Sequence, residues 1–432
     1  MGDVLNFKCP CCGATLPFNG ATGEMSCEYC GATFTMEQAR AAQEAEKVDA
    51  ASSDMTWTTS EQLMITDEDG KVQGYKCPSC AAEMVASDTT AATECPYCGN
   101  QAIIPQSFEG IYKPDLMIPF SVDKKTAVDA LEEFTKGKKL LPDAFTEKKR
   151  IEKITGVYVP FWLYSCHAKG SVQFEGIKSK KWEDSNFKYE KKDHYNVVRR
   201  GEMDFSRIPA DASSQMDDAT MDSLEPFDFS KAVDYDAAYF SGYLADRYDV
   251  EEETARPRAN ERVENTFREK MKEHVKNYNE VTHKSDSIRL SDAKAEYAML
   301  PVWMMSTKYE DNIYTFGVNG QTGKLVGSLP VDKGKYYKYL ILTSLICMIV
   351  LSVIMALIGM MSGITAIVCL VISIIAGYLY AGSLKAAMNT IAVQTSAKEY
   401  MNEGSLVMGE GDDSFLFTRT EKHAKEQKQA NG

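Results

Sequence analysis

The sequence predicts a multidomain protein: two small cysteine-held β units, then an α+β domain, then a two-helix transmembrane hairpin. Three observations predict it. Four C-x-x-C pairs lie between Cys9 and Cys98. Residues 106–331 mix short apolar strand-like segments with helical periodicity. The 46 residues Tyr339–Leu384 contain no Asp, Glu, Lys or Arg.

The first unit (1–35) carries Cys9-Pro10-Cys11-Cys12, then fourteen residues beginning with Gly13, then Cys27-Glu28-Tyr29-Cys30-Gly31. The second (71–105) carries Cys77-Pro78-Ser79-Cys80, fourteen residues, then Cys95-Pro96-Tyr97-Cys98-Gly99, an offset of 68 from the first. Two cysteines three apart on a tight turn aim both sulfurs at one ion, and two such turns complete a tetrahedral site. Glycine after the second cysteine closes the turn at positive φ. Units of about 30 residues bury little apolar surface, so metal is expected to hold them together. The ligand sets are therefore Cys9, Cys12, Cys27 and Cys30, and Cys77, Cys80, Cys95 and Cys98, each for one structural Zn2+. An all-cysteine set leaves no position for a reacting water. Rubredoxin-like iron and a thioredoxin-like dithiol are the alternatives; the second fits less well, because the pairs come in pairs and outside a βαβ setting. Cys11 reads as a spare thiol that competes with Cys12.

These residues resemble zinc ribbons, the small β-hairpin folds of transcription factor IIB, RNA polymerase subunits and the primosomal helicase. The resemblance implies a fold and leaves function open, since ribbons contact DNA, RNA and protein alike.

Between the units, 36–70 is an acidic linker whose Met36–Ser53 portion reads as a short exposed helix. After them, Leu116-Met117-Ile118-Pro119-Phe120 reads as a strand, and Ser121-Val122-Asp123 caps a helix running through Ala127, Leu131 and Phe134 to Gly137. Ile154–Ser165 is a buried strand interrupted at Pro160, and Met299–Met305 echoes it, Pro160 and Trp162 matching Pro301 and Trp303. The echo reads as a pseudo-duplicated α+β unit or as two unrelated core strands. Ile208–Met221 reads as a small acidic loop. Asn260–Tyr278 reads as a helix with Val263, Phe267, Met271 and His274 or Val275 on its packed face. Asn319-Gly320 marks a hairpin; the glycines around it lack the order of a phosphate loop.

A single helix over 46 residues would run about 69 Å, against about 30 Å of bilayer hydrocarbon. The hairpin (336–384) therefore turns at Gly359–Gly363, with helices at Tyr339–Ile358 and Ile364–Ala381. Lys333, Lys335 and Lys338 before it and Lys385 after it put both ends in the cytoplasm. Tyr336, Tyr337, Tyr339, Tyr378 and Tyr380 form the interfacial belt. Small residues at Ser352 and Ala356, and at Ser373, Gly377 and Ala381, permit close helix approach, within the hairpin or in a homo-oligomer. The cytosolic tail (385–432) reads as helical to Thr395, then loose, then solvated. Met1–Ala21 lacks the basic start and apolar run of a signal peptide.

Net charge is −14. Residues 1–103 hold 5 Lys+Arg against 15 Asp+Glu, a net of −10, which disfavours nucleic acid as a partner of the cysteine units. Cys166-His167 are adjacent on a strand and point to opposite faces. No G-x-S-x-G, H-E-x-x-H or nucleotide motif occurs, and the expectation is a non-enzyme.

Two ribbons, Ile118-Pro119-Phe120, then Gly156-Val157-Tyr158-Val159-Pro160-Phe161-Trp162, then a membrane hairpin: this order resembles a family of bacterial tandem zinc-ribbon membrane proteins found beside flotillin-like and phage-shock-protein-A-like proteins. The resemblance implies a membrane adaptor that recruits such cytosolic proteins under envelope stress. A membrane-tethered nucleic-acid-binding regulator and a metal or redox sensor are the other two readings.

Overall fold

The computed structural model describes residues 7–9, 14–19, 24–28, 33–37, 39–40, 55–60, 72–86, 94–101, 103–108, 112–143, 154–309, 312–360 and 362–424. Most of the expected helix at Met36–Ser53 lies outside them. Strands β1 (Phe18–Asn19), β2 (Glu24–Ser26) and β3 (Thr33–Phe34) form a small antiparallel sheet of their own. The second sheet has 14 strands. It begins with β4 (Thr58–Thr59), β5 (Val72–Lys76), β6 (Glu83–Ala86), β7 (Ile104–Phe108) and β8 (Leu116–Met117).

Helix α1 (Lys124–Thr135) follows, capped by Asp123, whose carboxylate accepts from the Thr126 N–H at 2.8 Å. Then comes the spine of the molecule. β9 (Thr155–Glu183) and β10 (Phe187–Asp211) form one hairpin, and β13 (Glu280–Tyr309) pairs with the other edge of β9. At about 3.3 Å per residue, the 29 residues of β9 span roughly 95 Å. Its environment changes in three stages. From Gly156 to Tyr164 every residue is buried, as the apolar run predicts for a strand covered on both faces. From Val172 burial alternates, so one face is covered. From Lys178 the strand is almost wholly polar and exposed.

The covered middle is packed by α3 (Glu252–Glu273). It follows α2 (Asp218–Ser223), β11 (Val233–Asp234) and β12 (Leu244–Asp246). Ala255, Ala259, Val263, Phe267 and Met271, four apart, make the stripe that meets Val172, Phe174, Val197, Phe205 and Ile288. The helix starts at Glu252 rather than Asn260 and contains Pro257. It ends at Glu273 because the chain turns through Asn277, at φ 69°, into β13. The Ile208–Met221 segment differs from the expected loop: Ile208–Ser213 is buried and Asp218 opens α2.

The segments containing Pro160-Phe161-Trp162 and Pro301-Val302-Trp303 pair antiparallel with one another, Tyr158 opposite Pro301 and Trp162 opposite Tyr297. β12 joins β9 in parallel (Leu244 opposite Val157), and β8 joins β13 in parallel (Leu116 opposite Ala298). A short strand, a helix, a long strand and its hairpin partner thus occur twice, each short strand adding to the other's long strand. The second hairpin partner is β14 (Asn312–Asn319), which turns through Asn319–Lys324 into β15 (Leu325–Gly327) as Asn-Gly predicts. Gly323 supplies the positive φ (77°).

Helices α4 (Lys333–Leu357) and α5 (Gly363–Ala386) follow. Both are long and apolar enough to cross a membrane, with mean hydropathy of 2.8 and 2.3. Gly359 turns at φ 74°, and Ser362 with Thr365 forms a capping box. The buried residues of α5 are Cys369, Ser373, Gly377 and Ala381, a small-residue stripe against α4. A Cβ on Gly377 would lie 2.0 Å from Ser344 Oγ, so only glycine permits that approach.

The tail departs from expectation. Its helix ends at Ala386, and β16 (Val407–Met408) and β17 (Asp412–Ala424) pair with β10. Phe415, Phe417 and the threonines between Phe417 and Glu421 are strand formers, and ladder pairing outweighs the charge pattern at the end of the segment.

Candidate metal centre

Cys77, Cys80, Cys95 and Cys98 converge, their sulfurs all within 4.8 Å of one another. The Cys77–Cys98 and Cys80–Cys95 sulfurs are each 3.6 Å apart. A tetrahedron with metal–sulfur bonds of 2.3 Å has edges of about 3.8 Å, so the set fits a metal ion.

Two matching turns build it. The Cys77 N–H donates to Ala82 O and the Ala81 N–H to Cys77 O; the Cys95 N–H donates to Asn100 O and the Gly99 N–H to Cys95 O. The residue after each second cysteine has positive φ: 69° at Gly99 and 63° at Ala81. Glycine adopts this without cost, whereas Ala81 carries a Cβ there. Burial opposes ionisation of Cys77, but N–H groups of Cys80 and Ser79 bond to its sulfur and bring the thiol down to about 7. Burial pushes Cys80 up to about 11 and raises Cys95 as well. Four such sulfurs ionise together only with a cation among them, which is the chemistry of a thiolate metal site. All four donors come from the protein, so a tetrahedral ion here has no open position.

The centre is joined to the large sheet. β6, between its two turns, pairs with β12 (Met84 opposite Asp246). Arg247 pairs with Glu83 at 3.1 Å, and Ser306 Oγ donates to Pro96 O at 2.7 Å. Beneath it lies a buried polar group. Asp246 accepts from Ser213 Oγ at 2.6 Å, and among the described residues Asp211 Oδ2 has no hydrogen-bond partner. Burial pushes Asp246 up to about 7 and raises Asp211. Composition alone gave no sign of this group: Asp211 and Ser213 fall in the stretch read as a surface loop.

Of the other expected ligands, Cys9 and Cys27 are buried in one cluster with Phe7, Leu16, Met25 and Phe34. The Cys9 N–H donates to Ala14 O, the same turn bond as at Cys77. Cys12 and Cys30 lie outside the described residues, as does Cys11. Cys166 and His167 point to opposite faces as expected; Cys166 is buried and His167 Nδ1 lies 2.7 Å from Asp204 Oδ1. The sequence also did not reveal the buried pair Arg262–Glu225, joined by bonds of 2.9 and 2.6 Å and backed by Pro209 O at 2.7 Å. It ties α3 to the segment after α2 and is structural.

Fold and centre together define a class: a sheet-rich body with a four-cysteine group able to hold a metal ion, and two apolar helices. The chain belongs to the family of the uncharacterized protein YdjG of Bacillus subtilis (strain 168). The two are 30% identical over 332 residues, 77% of this chain and 92% of that protein. The chain matches no family model and no solved structure.

Proposed function

We propose that this protein is a non-enzymatic, membrane-anchored adaptor whose metal-held units and sheet present a surface to cytosolic proteins. The observation that supports it most is the closed four-cysteine set on a sheet continuous with the hairpin base: all four donors are spent on the ion, so the centre shapes a surface and does not react. The ion is zinc, held structurally, and Cys9, Cys12, Cys27 and Cys30 hold a second. The hairpin crosses the membrane twice with both termini cytoplasmic. Partners are cytosolic proteins of flotillin-like or phage-shock-protein-A-like type, recruited under envelope stress.

Metal analysis of the purified full chain is expected to give two zinc ions, and one after Cys95→Ser; a value near zero sinks the reading. A cysteine replacing Ser362 is expected to react with a membrane-impermeant maleimide from outside intact cells, and one replacing Glu403 is not. The reverse pattern overturns the topology. Affinity capture in mild detergent, compared between wild type and Cys95→Ser, tests recruitment. A membrane-tethered nucleic-acid regulator is the second reading. The observation that favours it is the exposed end of the β9–β10 hairpin, where Lys178, Lys180, Lys181 and Lys188 flank the stacked rings of Trp182 and Tyr189, 5.4 Å apart. A salt-dependent gel shift of the full chain with DNA or RNA would promote it.

A further inference from the structure

The segment after α1 grips the base of the helical hairpin from a distance in sequence. Lys138 Nζ donates to Ala387 O, just past α5, at 2.6 Å. Lys139 Nζ donates to the Tyr380 hydroxyl at 3.0 Å and lies 5.7 Å from the ring centres of both Tyr339 and Tyr380, one on each helix. In return Lys335 donates to Leu141 O at 2.6 Å, and the Asp332 N–H to Leu140 O at 2.9 Å. Leu140 and Leu141 are buried in one cluster with Met388, against Tyr336, Tyr339 and Leu384. Body and hairpin therefore meet in a fixed joint.

That joint gathers charge. Gly377 against Leu340 and Ser344 fixes the register of the two antiparallel helices, and about two turns further along α5 that register brings Lys385 opposite the first turn of α4, from Lys333. Lys138, Lys139, Lys333, Lys338 and Lys385 have no carboxylate partner among the described residues. Lys335 is satisfied by Asp143 at 2.6 Å. Five ammonium groups with no carboxylate partner among the described residues, from three stretches of chain, thus ring the aromatic end of an apolar hairpin, in a protein of net charge −14.

We propose that this collar is a binding site for the phosphate of anionic lipids. It rests on the membrane reading above and names the lipid partner of that surface. Ammonium groups at the headgroup level each attract an anionic surface, and apolar flanks below them admit the acyl chains. Anionic lipid would then be drawn to the joint at Lys139 and steady the body over the bilayer.

The test uses the full chain reconstituted in phosphatidylcholine bilayers with spin-labelled phosphatidylglycerol or spin-labelled phosphatidylcholine as tracer. The motionally restricted fraction measures lipid held at the protein. The expected result is a preference for phosphatidylglycerol of roughly fivefold at low salt, shrinking at high salt. It should fall to near parity in Lys333→Ala/Lys338→Ala/Lys385→Ala and persist in the corresponding triple arginine variant. Equal restriction of both tracers by the wild type, or a preference unchanged in the alanine variant, overturns the proposal. No restricted component for either tracer would instead overturn the membrane reading on which it rests. Glycerol phosphate in solution should not displace the lipid; displacement would reassign the site to a soluble phosphate.

Discussion

The two cysteine units share a spacing and differ in what surrounds them. The first has its own small sheet and its own cluster, and touches the body where Phe34 meets Phe417 edge to face, ring centres 5.9 Å apart. Among the described residues, β1–β3 pair with no strand of the large sheet. The second is woven into that sheet through β6 and β12, and Cys77, Met84, Cys95 and Tyr97 share a cluster with Val157, Leu163 and Leu300. One motif thus serves as an appended unit and as part of a core. The lesson is that cysteine spacing specifies a turn, while its flanking strands decide whether that turn stands apart or joins the core.

The largest expected effect breaks or upholds that contrast directly. Cys95→Ser should forfeit most of a metal-binding free energy on the order of 10 kcal/mol. It should also strip hydrogen-exchange protection from β6, β12 and the adjoining end of β9. Cys27→Ser should expose only the first unit and leave the body's melting temperature unchanged. Equal spreading from both would abolish the distinction. Next in size, Met84→Ala should lower the stability of the body by about 2–5 kcal/mol, because Met84 is fully buried in the shared core. Phe34→Ala should loosen the first unit alone, measured by proteolysis at low protease.

Third is a pH effect confined to the second unit. Burial raises Asp246 to about 7 in the folded chain, against about 3.9 when unfolded. The folded state therefore holds this proton longer, and stability from this group is full below about pH 4 and declines as pH rises through about 7. Asp246→Asn should flatten denaturation midpoints across that window and raise them above it; an unchanged pH profile would contradict the burial of this group. The smallest effect is Ala81→Gly. Removing a Cβ at φ 63° should stabilise the second unit by up to about 1 kcal/mol in a denaturant titration. The corresponding residue of the first unit is Gly13 in the sequence, so the same site there offers no such gain.

The cysteine turns of the second unit and the two apolar helices were legible because each is local. A C-x-x-C-x turn closes within six residues, and an uncharged run declares itself by composition. The first third of β9 was legible for the same reason, since nine consecutive buried positions read as an apolar strand. Its outer end was not. From Ile177 to Glu183 no apolar face exists; the strand persists through cross-strand partners such as Trp182 on Tyr189 and Lys181 with Glu190 at 3.3 Å. The tail departs on like grounds: the charged segment from Glu421 reads as solvated, yet Glu421 to Ala424 pair with β10, and the rest of that segment lies outside the described residues. The buried acids were illegible because Asp211 and Asp246 become neighbours only when β10 and β12 enter one sheet.

The length of β9 has a mechanical consequence. Its first residues pack with the cluster at the hairpin base, where Ile154 is buried beside Trp303. Phe417, which receives the first cysteine unit, sits in the ladder at His194 and Ile177. The contour between them is 22 residues (155 to 177), roughly 73 Å at 3.3 Å each. No flexible tether intervenes on that path, so the strand works as a ruler. Removing two residues from each strand of the ladder would shorten it by about 7 Å and keep every side chain on its own face. Removing one from each would turn the polar face inward. The distance between the hairpin base and the first cysteine unit is therefore expected to vary in this family in steps of two residues.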